Sequence, residues 1–356
     1  MTMRERILAV VRGLPHDRVP FVQYDGCAAP TPEVWRVVGR DRIGALRWSA
    51  VHRYEAPHCR FVSEPIERAG RPGWRTVLHT PAGDLVEERI TEPVYGSSAV
   101  HAHYVREPAH YHALVAYLED LVVVDDSERY RRDGAELGDD GVPHVAVDRT
   151  PYQQLWVQWV SLIDLSEHLA DCPDLVERCM SAMRRALRQQ FELVRRARPP
   201  YVVVPDNITA PAIGVRGFER WCVPLYDELA EILEEPGVPV FVHMDGDLRP
   251  LWGAIGRSRV SGIDSLSPPP DNDTSVSDAA RLWPRMRLCP NFPSSVHLRP
   301  PAEVKRVAQE MLEGAGRSGR LMIQISENVP PDRWRETLPA IAEAVEEHGG
   351  PLGEGA

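Results

Sequence analysis

The sequence lacks long hydrophobic runs. No window reaches the roughly 18 uninterrupted apolar residues that a membrane-spanning helix needs. Residues 1–6 carry charge, but neither the apolar core nor the cleavage site of a signal peptide follows them. We therefore expect a cytoplasmic protein with no membrane partner.

Paired cysteines and clustered basic residues are also missing. The six cysteines form no CxxC pair and no zinc-finger spacing, so most of them are expected to be small buried side chains. The net charge is −11, and the arginines are scattered along the chain. Because phosphate backbones are held by clustered Lys and Arg, a nucleic-acid partner is not expected. A small anionic substrate is still compatible with this charge.

The apolar runs that are present predict an α/β fold. Short runs recur at 201–204, 238–242, 287–289 and 321–325, with a weaker run at 262–266, and helical patterns or polar connections separate them. Strands that are apolar on both faces and alternate with helices are typical of a parallel sheet covered by helices. The extent of the pattern favours a closed α/β barrel over an open sheet.

The predicted barrel is a single domain over residues 1–348, followed by a C-terminal tail at 349–356. Residues 55–100 look different, because short alternating runs lie beside turn signals at Pro81, Gly83 and Asp84. This pattern predicts an antiparallel hairpin excursion before the regular alternation begins.

Polar side chains follow the predicted strands, where a parallel α/β barrel carries its chemistry. The sharpest pair is His243 and Asp245, two residues apart on an extended chain, so their side chains point to the same side. Together they could bind a metal, or act as a base with its orienting acid. The alternative is a buried histidine held by an aspartate that caps the next helix. Gly246 lets the backbone turn directly afterwards.

The other strand ends add further candidates. Glu327 could be a third metal ligand or a general acid/base, or only a loop carboxylate. Asp206 and Asn207 could act catalytically by orienting the substrate, or could end their strand in an Asx-turn. The weaker candidates for substrate binding are Tyr24, Asp25, Asn291 and His297.

At these residues the sequence resembles the uroporphyrinogen decarboxylase superfamily, which includes zinc-dependent methyltransferases that move methyl groups from corrinoid proteins to thiols. Residues 4–20 look like its opening helix and first strand. Its central segment is similar to Asp206 and Asn207, followed by residues 217–219 and Pro224. The stretch 243–246 lies where the methyltransferase branch carries a His-x-Cys-Gly metal motif. The resemblance implies a distorted TIM barrel and, by analogy with the superfamily, a homodimer.

The departures from the family pattern bear on function. Residues 23–27 do not carry the arginine-rich signature of the decarboxylase branch, so porphyrinogen decarboxylation is not expected. Where the methyltransferases use one His and two Cys, this chain has His243, Asp245 and a third position at Ser326 or Glu327. A His243, Asp245, Glu327 site is harder than a thiolate site. It could hold zinc, manganese or iron, and suits activation of water or an oxyanion.

Two enzymatic hypotheses follow. The first is metal-dependent methyl transfer to a small molecule. Because the chain lacks an Asp-x-His-x-x-Gly corrinoid motif, the methyl group would come from a methylcobamide on a separate corrinoid protein or from another methyl donor. The second is a lyase or decarboxylase acting on a small carboxylated substrate, with Asp245 and Glu327 as the acid/base pair. A third hypothesis is a non-catalytic member of the fold that binds a ligand or partner. The many polar residues at the ends of the predicted strands make this hypothesis the least favoured.

Overall fold

A computed structural model describes residues 1–93, 97–350 and 352–353. Its strands, numbered along the chain, are β1 Phe21–Tyr24, β2 Gly44–Ser49, β3 His52–Glu55, β4 Arg60–Arg68, β5 Arg71–Thr80, β6 Gly83–Thr91, β7 Ser98–Ala102, β8 Val122–Asp125, β9 Gly141–Val145, β10 Val202–Val204, β11 Val240–His243, β12 Gly262–Asp264, β13 Arg287–Cys289 and β14 Ile323–Ile325.

Its α-helices are α1 Met3–Arg12, α2 Thr31–Val38, α3 His110–Asp120, α4 Ser127–Leu137, α5 Pro151–Gln154, α6 Leu162–Asp171, α7 Pro173–Ala197, α8 Ala210–Gly217, α9 Val223–Ile232, α10 Trp252–Arg257, α11 Val276–Leu282, α12 Pro301–Ala315 and α13 Trp334–His348. The chain divides into two compact units. The first comprises residues 1–51, 126–147 and 193–356, and the second residues 52–125 and 148–192.

The first unit contains the parallel strands that the apolar runs predict. They form two four-stranded sheets, in the orders β14-β1-β2-β9 and β10-β11-β12-β13. Single parallel bridges between Ala146 and Val203, and between Leu288 and Leu321, join edge strands of the two sheets. The α/β fold with parallel sheets is therefore as expected, while closure into a complete eight-stranded barrel stays a prediction.

Helix α1 shows how the local sequence sets these elements. The Thr2 side chain accepts a hydrogen bond from the Glu5 amide, and the Glu5 carboxylate accepts one from the Thr2 amide, which completes a capping box. Gly13 ends the helix in the left-handed region at φ 70°, where an L side chain would be strained. The apolar side of α1 then packs into the same core as residues from both parallel sheets, among them Tyr24, Val203 and Phe241.

The second unit is built on antiparallel pairing. Strand β3 pairs with β8, and β4 to β7 form a four-stranded sheet in sequential order across residues 60–102. The sheet buries Leu78 and Leu85, whereas β4 is exposed along nearly all of its length. The helical periodicity of residues 165–198 predicts one continuous helix, and this prediction is wrong. The segment forms two helices that break at Cys172, because the following Pro173 disfavours helical geometry at the residue before it.

The predicted tail falls partly outside the described residues, which omit 351 and 354–356. At Leu352 the backbone exchanges hydrogen bonds with His16, and the side chain is buried. No helix among the residues described combines the length and the apolar character needed to cross a bilayer.

Candidate functional site

The polar residues lie at one end of the parallel strands of the first unit. Tyr24, His243 and Asp264 are the last residues of β1, β11 and β12, and Glu327 follows β14 by two positions. Because these strands run parallel, their carboxyl ends share one rim, where α/β proteins place their chemistry.

His243, Asp245 and Glu327 converge at this rim. One potential ligand atom from each side chain lies within 4.8 Å of those of the other two. His243 Nε2 is 3.3 Å from Asp245 Oδ2. Of the two candidates for the third position, Glu327 joins this group, whereas Ser326 donates its hydroxyl to Asn291 Oδ1 at 3.1 Å.

Asp264 fixes the orientation of the His243 ring. The register of β11 and β12 pairs these two residues directly, and Asp264 Oδ2 lies 3.1 Å from His243 Nδ1. A carboxylate on Nδ1 favours a proton at that nitrogen, so Nε2, which faces Asp245, is the nitrogen that can bind a metal once its own proton is displaced. This arrangement of carboxylate, histidine and ligand pocket is the usual way in which a protein orients a metal-binding imidazole.

Asp264 is itself the centre of a buried network. Its Oδ2 accepts a hydrogen bond from the Tyr24 hydroxyl at 2.7 Å, and its Oδ1 accepts one from Gln324 Nε2 at 2.9 Å. His144 Nε2 lies 3.4 Å from the same carboxylate. The Tyr24 hydroxyl is also 2.9 Å from Ser265 Oγ. Asp264 is only 1% exposed, and this buried network fixes the His243 ring from its Nδ1 side.

These contacts shift the proton affinities of the site. Burial would lower the pKa of His243, but the Asp245 and Asp264 carboxylates raise it to about 10. Burial would raise the pKa of Asp264, yet the His144 and His243 imidazoles hold it well below its usual range. The two remaining carboxyl groups diverge. Burial and then the Asp245 charge raise the pKa of Glu327, while His243 overcomes burial and lowers the pKa of Asp245.

Asn207 holds the Asp245 carboxylate in place. Its Nδ2 donates to Asp245 Oδ2 at 2.8 Å, and Asn272 Nδ2 donates to the Asp245 carbonyl at 2.7 Å. Asn207 has φ 52° and Ser265 has φ 54°, so two residues beside the site adopt left-handed backbone that non-glycine residues rarely take. Such strained positions cluster at functional sites, where the surrounding structure enforces them.

Gly246 serves this site by allowing close approach. It is not among the residues with positive φ, so the expected backbone freedom is not the reason for glycine. A Cβ atom there would lie 2.2 Å from Thr209 Cβ and 2.9 Å from the Ile208 carbonyl oxygen. The segment that follows Asn207 therefore packs directly against the turn that follows Asp245.

We expect Gly246→Ala to lower the stability by roughly 1–3 kcal/mol, the usual cost of overpacking. The shift of residues 208–209 should also loosen Asn207 on Asp245. Thermal unfolding measures the first effect. The control is Gly253→Ala at an exposed position of α10, where the added Cβ meets only the end of the flexible Arg257 side chain at 3.2 Å. Equal unfolding midpoints for the two variants would contradict the packing argument.

Three other predicted residues have different surroundings. Asp206 is fully buried, and its carboxylate accepts a hydrogen bond from Tyr226 on α9. Asn291 is buried, its Oδ1 accepts from Ser326, and its Nδ2 has no hydrogen-bond partner among the described residues. Asp25 lies in the exposed loop after β1, where it pairs with Arg47 at 2.8 Å.

His297 is not brought to the triad by its described contacts. It is fully buried, with Nδ1 2.8 Å from the Thr337 hydroxyl on α13 and its ring 5.1 Å from that of Phe292. Burial lowers its pKa to about 4. The environment is that of a neutral core histidine.

This burial predicts a pH effect on stability. In the unfolded chain, His297 becomes protonated below about pH 6.5, whereas in the folded chain it stays neutral until about pH 4. Folding stability therefore falls as the pH drops through this window. The contribution is roughly 2 kcal/mol between pH 7 and pH 4.5. Urea unfolding across this range should show a smaller loss for His297→Gln, which keeps a hydrogen-bonding group but does not titrate. Identical pH profiles for both proteins would refute the effect.

The donor set fits a divalent cation. Ligands about 2.1 Å from a tetrahedral metal lie roughly 3.4 Å from one another, and the 3.3 Å between His243 Nε2 and Asp245 Oδ2 matches this spacing. Glu327 supplies a third donor and leaves a coordination position for a substrate. One imidazole and two carboxylates suit zinc, manganese or iron. Binding would displace the Nε2 proton of His243, so affinity should rise with pH.

Sequence reasoning missed the residues behind the ligands, namely Asp264, Ser265, Gln324 and His144. Asp264 and Ser265 lie in the weakest of the apolar runs, where a carboxylate and a hydroxyl look like a turn. Gln324 and His144 are polar residues inside strands and are fully or almost fully buried. The available signal was a single polar side chain inside an otherwise apolar strand, because a buried polar group needs hydrogen-bond partners.

Comparison with solved structures supports the fold. A methyltransferase from Methanosarcina mazei aligns with a TM-score of 0.58 at 14% identity, covering 98% of this chain and 99% of that one. A protein from Listeria monocytogenes described as a vitamin-B12-independent methionine synthase aligns with a TM-score of 0.36 at 13% identity, over 63% of this chain and 69% of that one. The second score is too low to indicate a shared fold. At these identities the first match shows the fold alone.

Comparison with protein families gives the relationship directly. No protein of curated function matches the sequence. The family model for uroporphyrinogen decarboxylase matches residues 162–348, which is more than half of the chain and includes His243, Asp245, Asp264 and Glu327. The resemblance seen in the sequence is thereby confirmed, and the chain belongs to the uroporphyrinogen decarboxylase family.

Proposed function

We propose that this protein is a metal-dependent methyltransferase in which His243, Asp245 and Glu327 hold one divalent cation. The observation that carries the proposal is the convergence of these three side chains, with Asp264 on the far nitrogen of the imidazole. Zinc is the first candidate, and manganese or iron would also suit the oxygen-rich donor set.

The bound cation would act as a Lewis acid that lowers the pKa of a thiol, hydroxyl or water. The chain's own residues prepare the site. Asp264 keeps the proton on His243 Nδ1, and Asn207 fixes the Asp245 oxygen that faces the imidazole. The buried Tyr24 excludes water from the side of β1. A preorganised pocket of this kind binds a developing anion without reorganisation.

The acceptor in this proposal is a small molecule, and the methyl donor is a methylcobamide on a separate corrinoid protein. The family relationship and the methyltransferase fold support this assignment. The sequence of this chain carries no Asp-x-His-x-x-Gly corrinoid-binding motif, and we therefore assign the donor to a separate protein.

The test combines metal content with methyl transfer. Protein purified without chelators should contain about one metal per chain, and it should transfer methyl groups from a methylcobamide to at least one member of a panel of thiols and other acceptors. Removal of the metal should abolish the transfer, and the matching ion should restore it. If the protein binds no metal after reconstitution with zinc, manganese and iron, the proposal is refuted.

One observation favours a second candidate, a lyase or decarboxylase acting on a small carboxylated substrate. The pKa values of the two neighbouring carboxyl groups are shifted in opposite directions: that of Glu327 is raised, chiefly by burial, and that of Asp245 is lowered by His243. Divergent pairs of this kind serve as general acid and base. Full activity of the metal-free protein on such a substrate would decide for this candidate.

A further inference from the structure

A cavity lies at the end of the parallel strands opposite the triad, where β12 and β13 begin. It has a volume of about 660 Å³ and is lined by residues 256–261 and 282–287 of the first unit. These segments precede the strands, whereas the triad follows them. The cavity is therefore separate from the candidate metal site.

The lining is strongly basic for a chain with a net charge of −11. It includes four arginines and no aspartate or glutamate. The four are Arg257, Arg259, Arg285 and Arg287. A local excess of positive charge in an otherwise acidic protein attracts anions.

Two of the arginines have counter-charges and two do not. Arg257 pairs with Glu219 at 2.6 Å, and Arg259 pairs with Glu234 at 2.7 Å. For Arg285 and Arg287, the described part of the chain provides no ion pair. The Nε of Arg287 is also buried without a hydrogen-bond partner.

The environment of Arg287 is unfavourable for a cation without a ligand. Burial lowers its pKa, and burial together with the charge of Arg287 lowers the pKa of Arg320. The Arg320 guanidinium donates to the Met286 and Trp283 carbonyls, at 2.6 and 3.2 Å, so it lies against the wall of the same cavity. Arg287 is half-buried and Arg285 is exposed. A partly buried cation without a partner is unfavourable, and an anion in the cavity would relieve that cost.

We propose that this cavity binds a small phosphorylated molecule, with Arg285 and Arg287 as its phosphate ligands. The planar guanidinium offers parallel N–H donors that match two oxygens of a phosphate group, a geometry that a lysine cannot supply. The volume accommodates a ligand larger than a single phosphate ion, such as a diphosphate or a nucleoside diphosphate. This site is independent of the proposed methyl transfer.

Calorimetric titration of the full chain with inorganic pyrophosphate tests the proposal, with ADP as a second probe. The wild-type protein should bind at least one probe saturably, more weakly as salt increases. Arg285→Gln and Arg287→Gln should each weaken binding about tenfold or more, since each removes charge-assisted hydrogen bonds. Equal affinities would indicate recognition of the phosphates alone, and tighter ADP binding would indicate a nucleotide.

Two controls define failure. Arg281→Gln removes a nearby exposed arginine of α11, which pairs with Asp278 and does not line the cavity, and it should bind like the wild type. His243→Ala should also bind normally, which excludes capture of the probe by metal in the triad. Arg285→Gln keeps the test available if Arg287→Gln does not fold. No binding of either probe at millimolar concentration, or equal binding by the Arg281 and Arg285 variants, would overturn the proposal.

Discussion

Replacing His243 with alanine is expected to remove the metal and the methyl transfer together. The loss of an outer partner of a metal ligand already costs about 10–100-fold in affinity or activity. Loss of the ligand itself should therefore cost more than about 100-fold. Metal analysis and single-turnover transfer from a methylcobamide measure the two effects on the same preparations.

Asp245→Ala should behave in the same way, because its Oδ2 faces His243 Nε2 at 3.3 Å. The matched control is Asp25→Ala, which removes a carboxylate from the loop after β1 that pairs with Arg47. That variant should keep its metal. If His243→Ala and Asp245→Ala retain one metal per chain, the cation is bound elsewhere and the triad is an acid/base site.

Replacing Asp264 with alanine is expected to lower the free energy of unfolding by about 3–5 kcal/mol, the range for breaking a buried charge pair. The substitution leaves His243 without the carboxylate on Nδ1 and leaves the Tyr24 hydroxyl and the Gln324 amide without one of their acceptors. Urea unfolding of the metal-free protein at neutral pH measures the loss.

Asp264→Asn is the matched variant, because it keeps the shape of the side chain and one acceptor oxygen. It should lose less stability but should weaken metal binding about 10–100-fold. Because the pKa of Asp264 is lowered on folding, its contribution is present above about pH 4 and is lost as the pH falls further. Wild-type stability in Asp264→Ala at neutral pH would show that this carboxylate is not the centre of the network.

The sequence predicts the later parallel strands well, because their apolar runs are continuous. It does not reveal β2 and β9, where Arg47 and His144 interrupt the apolar pattern. Such strands are recognised only once their neighbours are known. The run 17–22 predicts the first strand, and this prediction ends too early, since β1 runs on to Tyr24.

The same distinction applies to the site. His243 and Asp245 could be found because two positions on one extended chain share a side. Glu327 required the additional assumption that strand ends meet at one rim. Asp264 could not be identified as a site residue from the sequence. Its role depends on the register between β11 and β12, which places it beside His243, and the local sequence does not determine this register.

The pairing of β1 with β14 has a consequence for how the protein is made. These strands are about 300 residues apart in the sequence, and Phe21, Val22 and Gln23 pair with residues 323–325. At a synthesis rate of roughly 5–20 residues per second, β14 is synthesised about 15–60 s after β1. One edge of β1 is unpaired during this interval. During that time Tyr24 is already made, but the strand that precedes Glu327 is not. Assembly of this rim therefore cannot be completed before β14 has been made, and until then one edge of β1 lacks its native neighbour.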